Sequence, residues 1–394
     1  MLDASQIEQY ERDGYLILRA RFNDEEMARL DHAFDNNPPL DGLTGDAEYP
    51  APGRYTLAKS CLKDPDFAFM AEHPNVVNPA SDLLQDDVYL TAFVLYDRTP
   101  GGPGIPIHND YKRWRPVGSS LNWLFSIIPM TDFDEVTGQL FIAPGSHQLD
   151  RVCDRGEGVL HINEASKPSP DDFIDPELKR GDLLLMNMHL WHRAAENKSD
   201  LHRVGLFNKY CAAHYPPATG YYLFDDDVHN ILSDEGKKLL AVHSDKPIAT
   251  TRLLLQRTLK EEREFFFVTD DNELVLPGGP TFQEQAIGDW DIGNYVAALQ
   301  ANIREQLRIE TPWVSYIGDF EEASHLCRVY GYPMNNNGFP VPYREGKWIK
   351  ESEVQAAMFK FGYEAEAVVK WLDPSMIRGK ALTQAQSRID QYAY

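Results

Sequence analysis

Gly181-Asp182-Leu183-Leu184-Leu185-Met186-Asn187-Met188-His189-Leu190-Trp191-His192 is a turn followed by an apolar run, broken only at Asn187 before it reaches two histidines. An apolar run of this length, bounded by a turn signal, reads as a buried strand. It delivers His192 just past its far end, and a site placed at the end of a rigid strand holds its geometry well. Upstream, Ile105-Pro106-Ile107-His108-Asn109-Asp110 reads as an extended segment. Residues two apart on a strand project from the same face, whereas a helix would separate them by about 200°. His108 and Asp110 can therefore reach one ion, and His192 completes a set of two imidazoles and one carboxylate. On one face of Fe(II), that donor set leaves three coordination positions open for a co-substrate and O2. Arg203 adds a fixed, charged fork suited to the carboxylate of such a co-substrate, where a lysine would offer only a point charge. Between the ligand segments, residues 137–147 supply another strand, stopped by the Pro144-Gly145 turn.

A His-x-Asp pair is common by chance, but its surroundings are specific. Ile7-Glu8-Gln9-Tyr10-Glu11-Arg12-Asp13-Gly14-Tyr15-Leu16-Ile17-Leu18, then His108-x-Asp110, then Gly138-Gln139-Leu140-Phe141-Ile142-Ala143-Pro144-Gly145-Ser146-His147, then Gly181-Asp182 and Trp191-His192 follow in order. In these motifs residues 5–215 resemble the phytanoyl-CoA dioxygenase group of Fe(II)/2-oxoglutarate oxygenases. The resemblance implies a double-stranded β-helix, a jelly roll with flanking helices and the metal between its two sheets. It also implies that Arg203, eleven positions after His192, binds the distal carboxylate of 2-oxoglutarate. The same spacing counted from His189 reaches Asp200, which would repel the acid, so His189 is the weaker ligand candidate. Residues 5–12 are expected to form a helix capped by Asp3 and stopped by Gly14.

Other candidates carry an ordinary structural alternative. Arg98 sits where the family often places a basic residue near the co-substrate, and Asn122 on an expected strand over 121–128 can donate to the proximal carboxylate; each also suits a structural salt bridge or strand-edge hydrogen bond. Lys112, Arg113 and Arg115, with Trp114 among them, read either as a basic substrate pocket beside the metal or as a solvated loop. His147 reads as a turn residue.

A chain of 394 residues exceeds what one core usually supports, and a 43% hydrophobic fraction with seven Trp excludes a disordered chain. Four scattered cysteines read as reduced thiols, and no segment reads as a secretion signal or membrane span, so the expected address is cytoplasmic. A net charge of −23 makes nucleic acid an unsuitable partner.

Residues 1–245 are therefore expected to form the oxygenase domain and 246–394 a second one. There, residues 250–256, 263–268 and 273–279 read as strands, with a turn at 270–272, and Ile292, Val296, Leu299, Ile303 and Leu307 mark an amphipathic helix over 291–308. This part is similar to the Nudix fold, an α/β/α sandwich, through Leu276-Pro277-Gly278-Gly279, Glu284 and Arg304-Glu305. Nineteen residues separate Glu284 from Arg304 where the family has seven, and Gln306-Leu307-Arg308-Ile309-Glu310 replaces the double glutamate that holds Mg2+. Without clustered carboxylates a hard cation has few ligands. The domain reads as non-hydrolytic, serving as a wall or lid over the oxygenase site or as a homodimer surface built from the aromatic-rich stretches 313–343 and 359–363. A working hydrolase would have to use Glu284, Glu305 and Glu310.

The expected activity is hydroxylation of an unactivated C–H of a small-molecule metabolite, with 2-oxoglutarate converted to succinate and CO2. Asp110 favours hydroxylation over halogenation, since related halogenases replace that carboxylate to make room for chloride; desaturation, epoxidation and cyclisation stay open. The alternatives are a Nudix-type hydrolase carrying an inactive jelly roll, and a non-catalytic ligand-binding protein.

Overall fold

Asp3 opens the first helix, accepting a hydrogen bond from the Gln6 N–H while the Gln6 side chain accepts from the Asp3 N–H. This reciprocal cap satisfies two otherwise orphaned donors. Gly14 ends the helix at φ +80°, and a Cβ there would lie 2.4 Å from the His147 ring. Only glycine meets both conditions. In the computed structural model the described residues are 1–37, 54–57, 62–109, 123–148, 151–154, 159–162, 168–217, 220–281, 293–311, 314–334 and 346–376.

The first domain begins with helices α1 (Ala4–Asp13), α2 (Asp24–Asn36), α3 (Pro65–Ala71) and α4 (Pro74–Leu84). Its strands are β1 (Tyr15–Leu18), β2 (Arg54–Leu57), β3 (Val88–Ala92), β4 (Leu95–Arg98), β5 (Ile105–His108) and β6 (Trp123–Pro129). They continue as β7 (Leu140–Ile142), β8 (Arg151–Asp154), β9 (Val159–Ile162), β10 (Leu183–Asn187), β11 (His192–Ala194) and β12 (Arg203–Ala212). One large sheet runs β1-β10-β6-β12-β4-β2, with β3 also on β12; a small sheet runs β5-β11-β7, and β8 pairs with β9. The chain alternates between the two main sheets, with β5, β7 and β11 in the small one and β6, β10 and β12 in the large one. That winding is a jelly roll, and it bears out the expected double-stranded β-helix core with flanking helices. The apolar run at 183–187 is a central strand buried on both faces, as expected, but His192 starts a new strand in the opposite sheet.

Helix α4 lies against β3, β6 and β12, and the Tyr210 hydroxyl on β12 donates to the Ala71 carbonyl at the end of α3. Even-numbered residues at that end of β12 thus face the helices, and odd-numbered ones face the space between the sheets. Short helices α5 (Asp226–Ile231) and α6 (Asp234–Lys237) follow β12.

The second sheet contains β13 (Ile248–Leu259), β14 (Glu262–Asp270), β15 (Glu273–Val275), β16 (Gly278–Pro280), β17 (Ser315–Glu322), β18 (His325–Pro333) and β19 (Gly346–Lys350). Its order is β15-β14-β13-β18-β17, with β16 on β13 and β19 on β14. The expected single strand over 273–279 is two: Pro277 has no N–H, and Gly278 turns at φ +148°, so β15 pairs with β14 and β16 with β13. The turn at 271–272 has both residues at positive φ, the backbone that a tight hairpin needs. On one face α7 (Gly293–Leu307) buries Leu299, Ile303 and Leu307 in a cluster with Leu253, Leu255 and Phe266. On the other, α8 (Tyr363–Leu372) buries Ala367 and Val368 with Leu254, Phe265 and Phe267. Alternate residues of β13 thus serve opposite layers, giving an α/β/α sandwich. Tyr316, Phe320, Tyr330 and Tyr363 are core, whereas Phe361 is exposed; Trp313 lies outside the described residues.

Residues before and after 246 meet at a buried junction. Arg328 is fully buried, makes two hydrogen bonds to Asp319 at 2.7 and 2.9 Å, and donates to the Tyr221 carbonyl at 2.7 Å. Tyr221 packs edge-to-face between Tyr89 on β3 and Tyr316 on β17, each centroid separation being 5.5 Å. Among the described residues no helix is long and apolar enough to cross a membrane. Arg328→Met would leave the buried Asp319 carboxylate with the Tyr316 hydroxyl but without its cation; it should lower unfolding stability by about 3–5 kcal/mol in urea melts, and an unchanged midpoint would contradict this account of the junction.

Candidate active site

His108 ends β5 and His192 begins β11, and the two are directly opposed Cα partners in the antiparallel ladder. Their ring centroids lie 4.2 Å apart. The β5–β11 register shifts between His192 and Ala194, an irregularity of the kind that re-aims a side chain next to a site. Each imidazole is oriented by its own strand: His108 Nδ1 lies 2.7 Å from the Pro106 carbonyl, and His192 Nδ1 lies 3.0 Å from the Leu190 carbonyl. A carbonyl only accepts, so each Nδ1 carries the proton and each Nε2 is the lone-pair nitrogen, the tautomer a metal ligand requires. His189 stands instead in the turn between β10 and β11, its backbone N–H donating to Asn187 Oδ1 at 2.9 Å. Asp110 lies outside the described residues, and no group of three metal-binding side chains occurs among those that are described.

Arg203 is the first residue of β12 and the Cα partner of Arg98 on β4. Both side chains are buried, at 3% exposure. The Arg203 guanidinium lies flat over Phe133, 3.4 Å from the ring centroid, and Phe133 in turn stacks on Phe207. Among the described residues neither Nε nor Nη2 of Arg203 has a hydrogen-bond partner. Burial, and then the like charge of Arg98, push its pKa well down. An unpaired guanidinium at such a position is costly, and an anion with two oxygens would relieve it. A dicarboxylate co-substrate fits that requirement. Arg98 donates through Nη1 to the Ala195 carbonyl, which fits the structural alternative for that residue while keeping its charge beside Arg203.

Asn122, Lys112, Arg113, Trp114 and Arg115 lie outside the described residues. Two residues not singled out in the sequence stand close to the candidates: Phe133, which sets the plane of Arg203, and Lys209, which faces Phe125 across the β12–β6 ladder. Counting by twos along β12 from Arg203 reaches Lys209, so its face was legible; nothing local marks Phe133.

Beyond residue 246, several residues of the expected Nudix motif bond to one another. The Gln306 amide bonds both the N–H and the carbonyl of Gly278, Arg304 binds Glu310 at 2.7 and 2.9 Å, and Glu305 is exposed. Glu284 lies outside the described residues.

His108→Ala and His192→Ala should each abolish stoichiometric Fe(II) binding, measured as iron retained after desalting, whereas His189→Ala should keep it. Iron retained by His192→Ala and lost by His189→Ala would reverse the assignment.

The phytanoyl-CoA dioxygenase (PhyH) family model matches residues 10–205. An ectoine dioxygenase of Bordetella bronchiseptica is 26% identical over 185 residues, which cover 44% of this chain and 59% of the relative. An iron/alpha-ketoglutarate-dependent dioxygenase of Aspergillus calidoustus is 22% identical over 222 residues, covering 50% of this chain and 70% of the relative. The chain thus spans about three-fifths of the length of the Bordetella enzyme. Among solved structures, EctD from S. alaskensis with 2-oxoglutarate and 5-hydroxyectoine is 23% identical, covering 55% of this chain and 78% of that one, with a TM-score of 0.47. Over residues 10–205, which hold both histidines and Arg203, the chain is PhyH-like.

Proposed function

We propose that residues 1–245 form an Fe(II)- and 2-oxoglutarate-dependent dioxygenase that hydroxylates a C–H of a small-molecule metabolite. The observation that carries this reading is Arg203, a buried guanidinium with two unpartnered nitrogens on the domain that also sets two imidazoles side by side. A structural metal site has no use for such a carboxylate receiver. The family match and the names of the relatives support the same reaction type.

In this reading His108, Asp110 and His192 hold Fe(II), and Arg203 holds the distal carboxylate of 2-oxoglutarate. Bound iron with its co-substrate supplies oxidative decarboxylation to succinate and CO2, coupled to oxygen insertion into the substrate. The protein supplies position. The Pro106 and Leu190 carbonyls fix the imidazole tautomers, Phe133 fixes the guanidinium plane, and the buried Phe125 and Ile142 beside His192 keep water from that wall. Asp110 favours hydroxylation over halogenation.

Residues 246–394 are proposed to be a Nudix-like wall without hydrolytic function. Support comes from the Gln306 clasp on Gly278, the Arg304–Glu310 pair and the junction at Arg328.

Arg203→Ala should raise the KM for 2-oxoglutarate by roughly a hundredfold, as the loss of two charge-assisted bonds implies at about 1.4 kcal/mol per tenfold, with iron content unchanged. Arg203→Lys should fall between. Unaltered 2-oxoglutarate dependence of succinate release in Arg203→Ala would reject the assignment. For the second domain, Glu305→Gln should leave succinate release unchanged and the wild type should release no phosphate from nucleotide sugars or dinucleotides; Mg2+-dependent release lost in Glu305→Gln would restore the hydrolase.

A further inference from the structure

Residues 195–202 carry the chain from β11, in the small sheet, to β12, in the large one, and so span the interval between His192 and Arg203. Asn197 is the hub of that turn, and it is fully buried. Its Nδ2 group donates to the Arg98 carbonyl at 3.0 Å and the Thr99 carbonyl at 3.2 Å, both at the end of β4. The same group donates to the Leu201 carbonyl at 2.7 Å, just ahead of Arg203. Oδ1 accepts from the Ser199 N–H at 3.0 Å and from the Ser199 hydroxyl at 2.6 Å. Arg98 reaches back into the turn, its Nη1 donating to the Ala195 carbonyl. On the other side the Ala195 N–H donates to the Gln139 carbonyl at 2.9 Å and the Lys198 N–H to the Val136 carbonyl at 2.8 Å. The turn is thus tied to β4, to the segment before β7 and to the residues that lead into β12.

We propose that Asn197 is a positioning residue for the co-substrate, setting the reach between the metal ligand His192 and the carboxylate receiver Arg203. This rests on the oxygenase reading and adds to it the residue that holds both ends of 2-oxoglutarate in one frame. In that reading the acid is gripped at one end through the small sheet and at the other through the large one. Such a ligand binds well only if the two grips keep one separation, and a displacement of about 1 Å made away from the reacting atoms can cost on the order of a hundredfold. A turn of this length closes in many ways, and loop closure alone does not choose among them. The amide does choose, because it offers donors to carbonyls at both ends of the turn and an acceptor to its middle. Aspartate would set a carboxylate against those carbonyls, and alanine would leave them buried without a donor.

The test separates the two ends of the acid. Binding of 2-oxoglutarate and of 2-oxopentanoate, which keeps the chelating end but has a methyl group in place of the distal carboxylate, is measured by anaerobic calorimetry on the Fe(II)-loaded protein. Wild type, Asn197→Ala, Ser199→Ala, Arg203→Ala and the double variant Asn197→Ala/Arg203→Ala are compared, with iron content and the urea midpoint recorded for each. Asn197→Ala should weaken 2-oxoglutarate binding by roughly tenfold, about 1.4 kcal/mol, and leave 2-oxopentanoate binding and iron content nearly unchanged. In the Arg203→Ala background it should add little, since the receiver it positions is gone. Wild-type affinity for 2-oxoglutarate in Asn197→Ala would overturn the proposal. So would an equal loss for both acids, the mark of a structural role alone, or losses from Asn197→Ala and Arg203→Ala that simply add. If Asn197→Ala does not fold, Ser199→Ala decides: it removes the partner of Oδ1 and leaves the amide in place, so a smaller loss confined to 2-oxoglutarate supports the proposal, and no loss or an equal one overturns it. A wild type that binds neither acid, or binds both equally, counts against the oxygenase reading itself and takes this inference with it. A wild-type preference for 2-oxoglutarate that survives in Asn197→Ala counts only against Asn197.

Discussion

The antiparallel register that sets His192 against His108 is the constraint on which the rest of the first domain depends. A strand slipped by one residue turns every side chain to the other face, so the two imidazoles meet only if β11 pairs with β5 in this one register. Two features secure it. Strand β11 is bonded on both sides, to β5 and to β7, and the preceding strand β10 is apolar and buried from Leu183 to Met186 and locked between β1 and β6 in the opposite sheet. The chain has only four residues, 188–191, in which to pass from one sheet to the other, and Trp191 and Leu190 in that passage are buried. The juxtaposition of the two imidazoles thus follows from core packing rather than from the histidines themselves.

Charge is handled differently. Arg98 and Arg203 are neighbours across a ladder, both buried, and like charges so placed repel. The Arg203 guanidinium lies against the aromatic layer of Phe133 and Phe207, which in the proposed reading orients it and leaves its edge for a planar anion. Conformational entropy is thereby removed before a ligand arrives, which is how a preformed fork gains affinity. At Arg328 the opposite solution appears: the cation is matched within the protein by Asp319 and the Tyr221 carbonyl, which ties β18 to the segment that follows β12.

Much of this was legible in the sequence where local chemistry decides. The Asp3 cap and Gly14 stop, the buried strand at 183–187, the helix behind Leu299, Ile303 and Leu307 and the positive-φ turn at 271–272 all follow from residue type and spacing. The motif order pointed to the resemblance that the family model also finds over residues 10–205, and to the carboxylate proposed as the partner of Arg203. What was not legible depends on distant contacts. Phe133 lies under Arg203 although seventy positions separate them, and no periodicity announces that meeting. The division of 273–279 between two partners turns on the Pro277-Gly278 kink, which a reading of propensity alone merges into one strand. The Gln306 clasp likewise converts a missing carboxylate from a gap in a motif into a structural bond.

The central claim is that this fold holds iron and presents it to a 2-oxo acid. Anaerobic titration of 2-oxoglutarate into the Fe(II)-loaded protein tests it most directly, because chelation through the carboxylate and keto oxygens produces a visible charge-transfer absorption that neither component shows alone. The account predicts a saturable band reaching one equivalent per chain. Iron that stays bound through the titration without developing that absorption would contradict it.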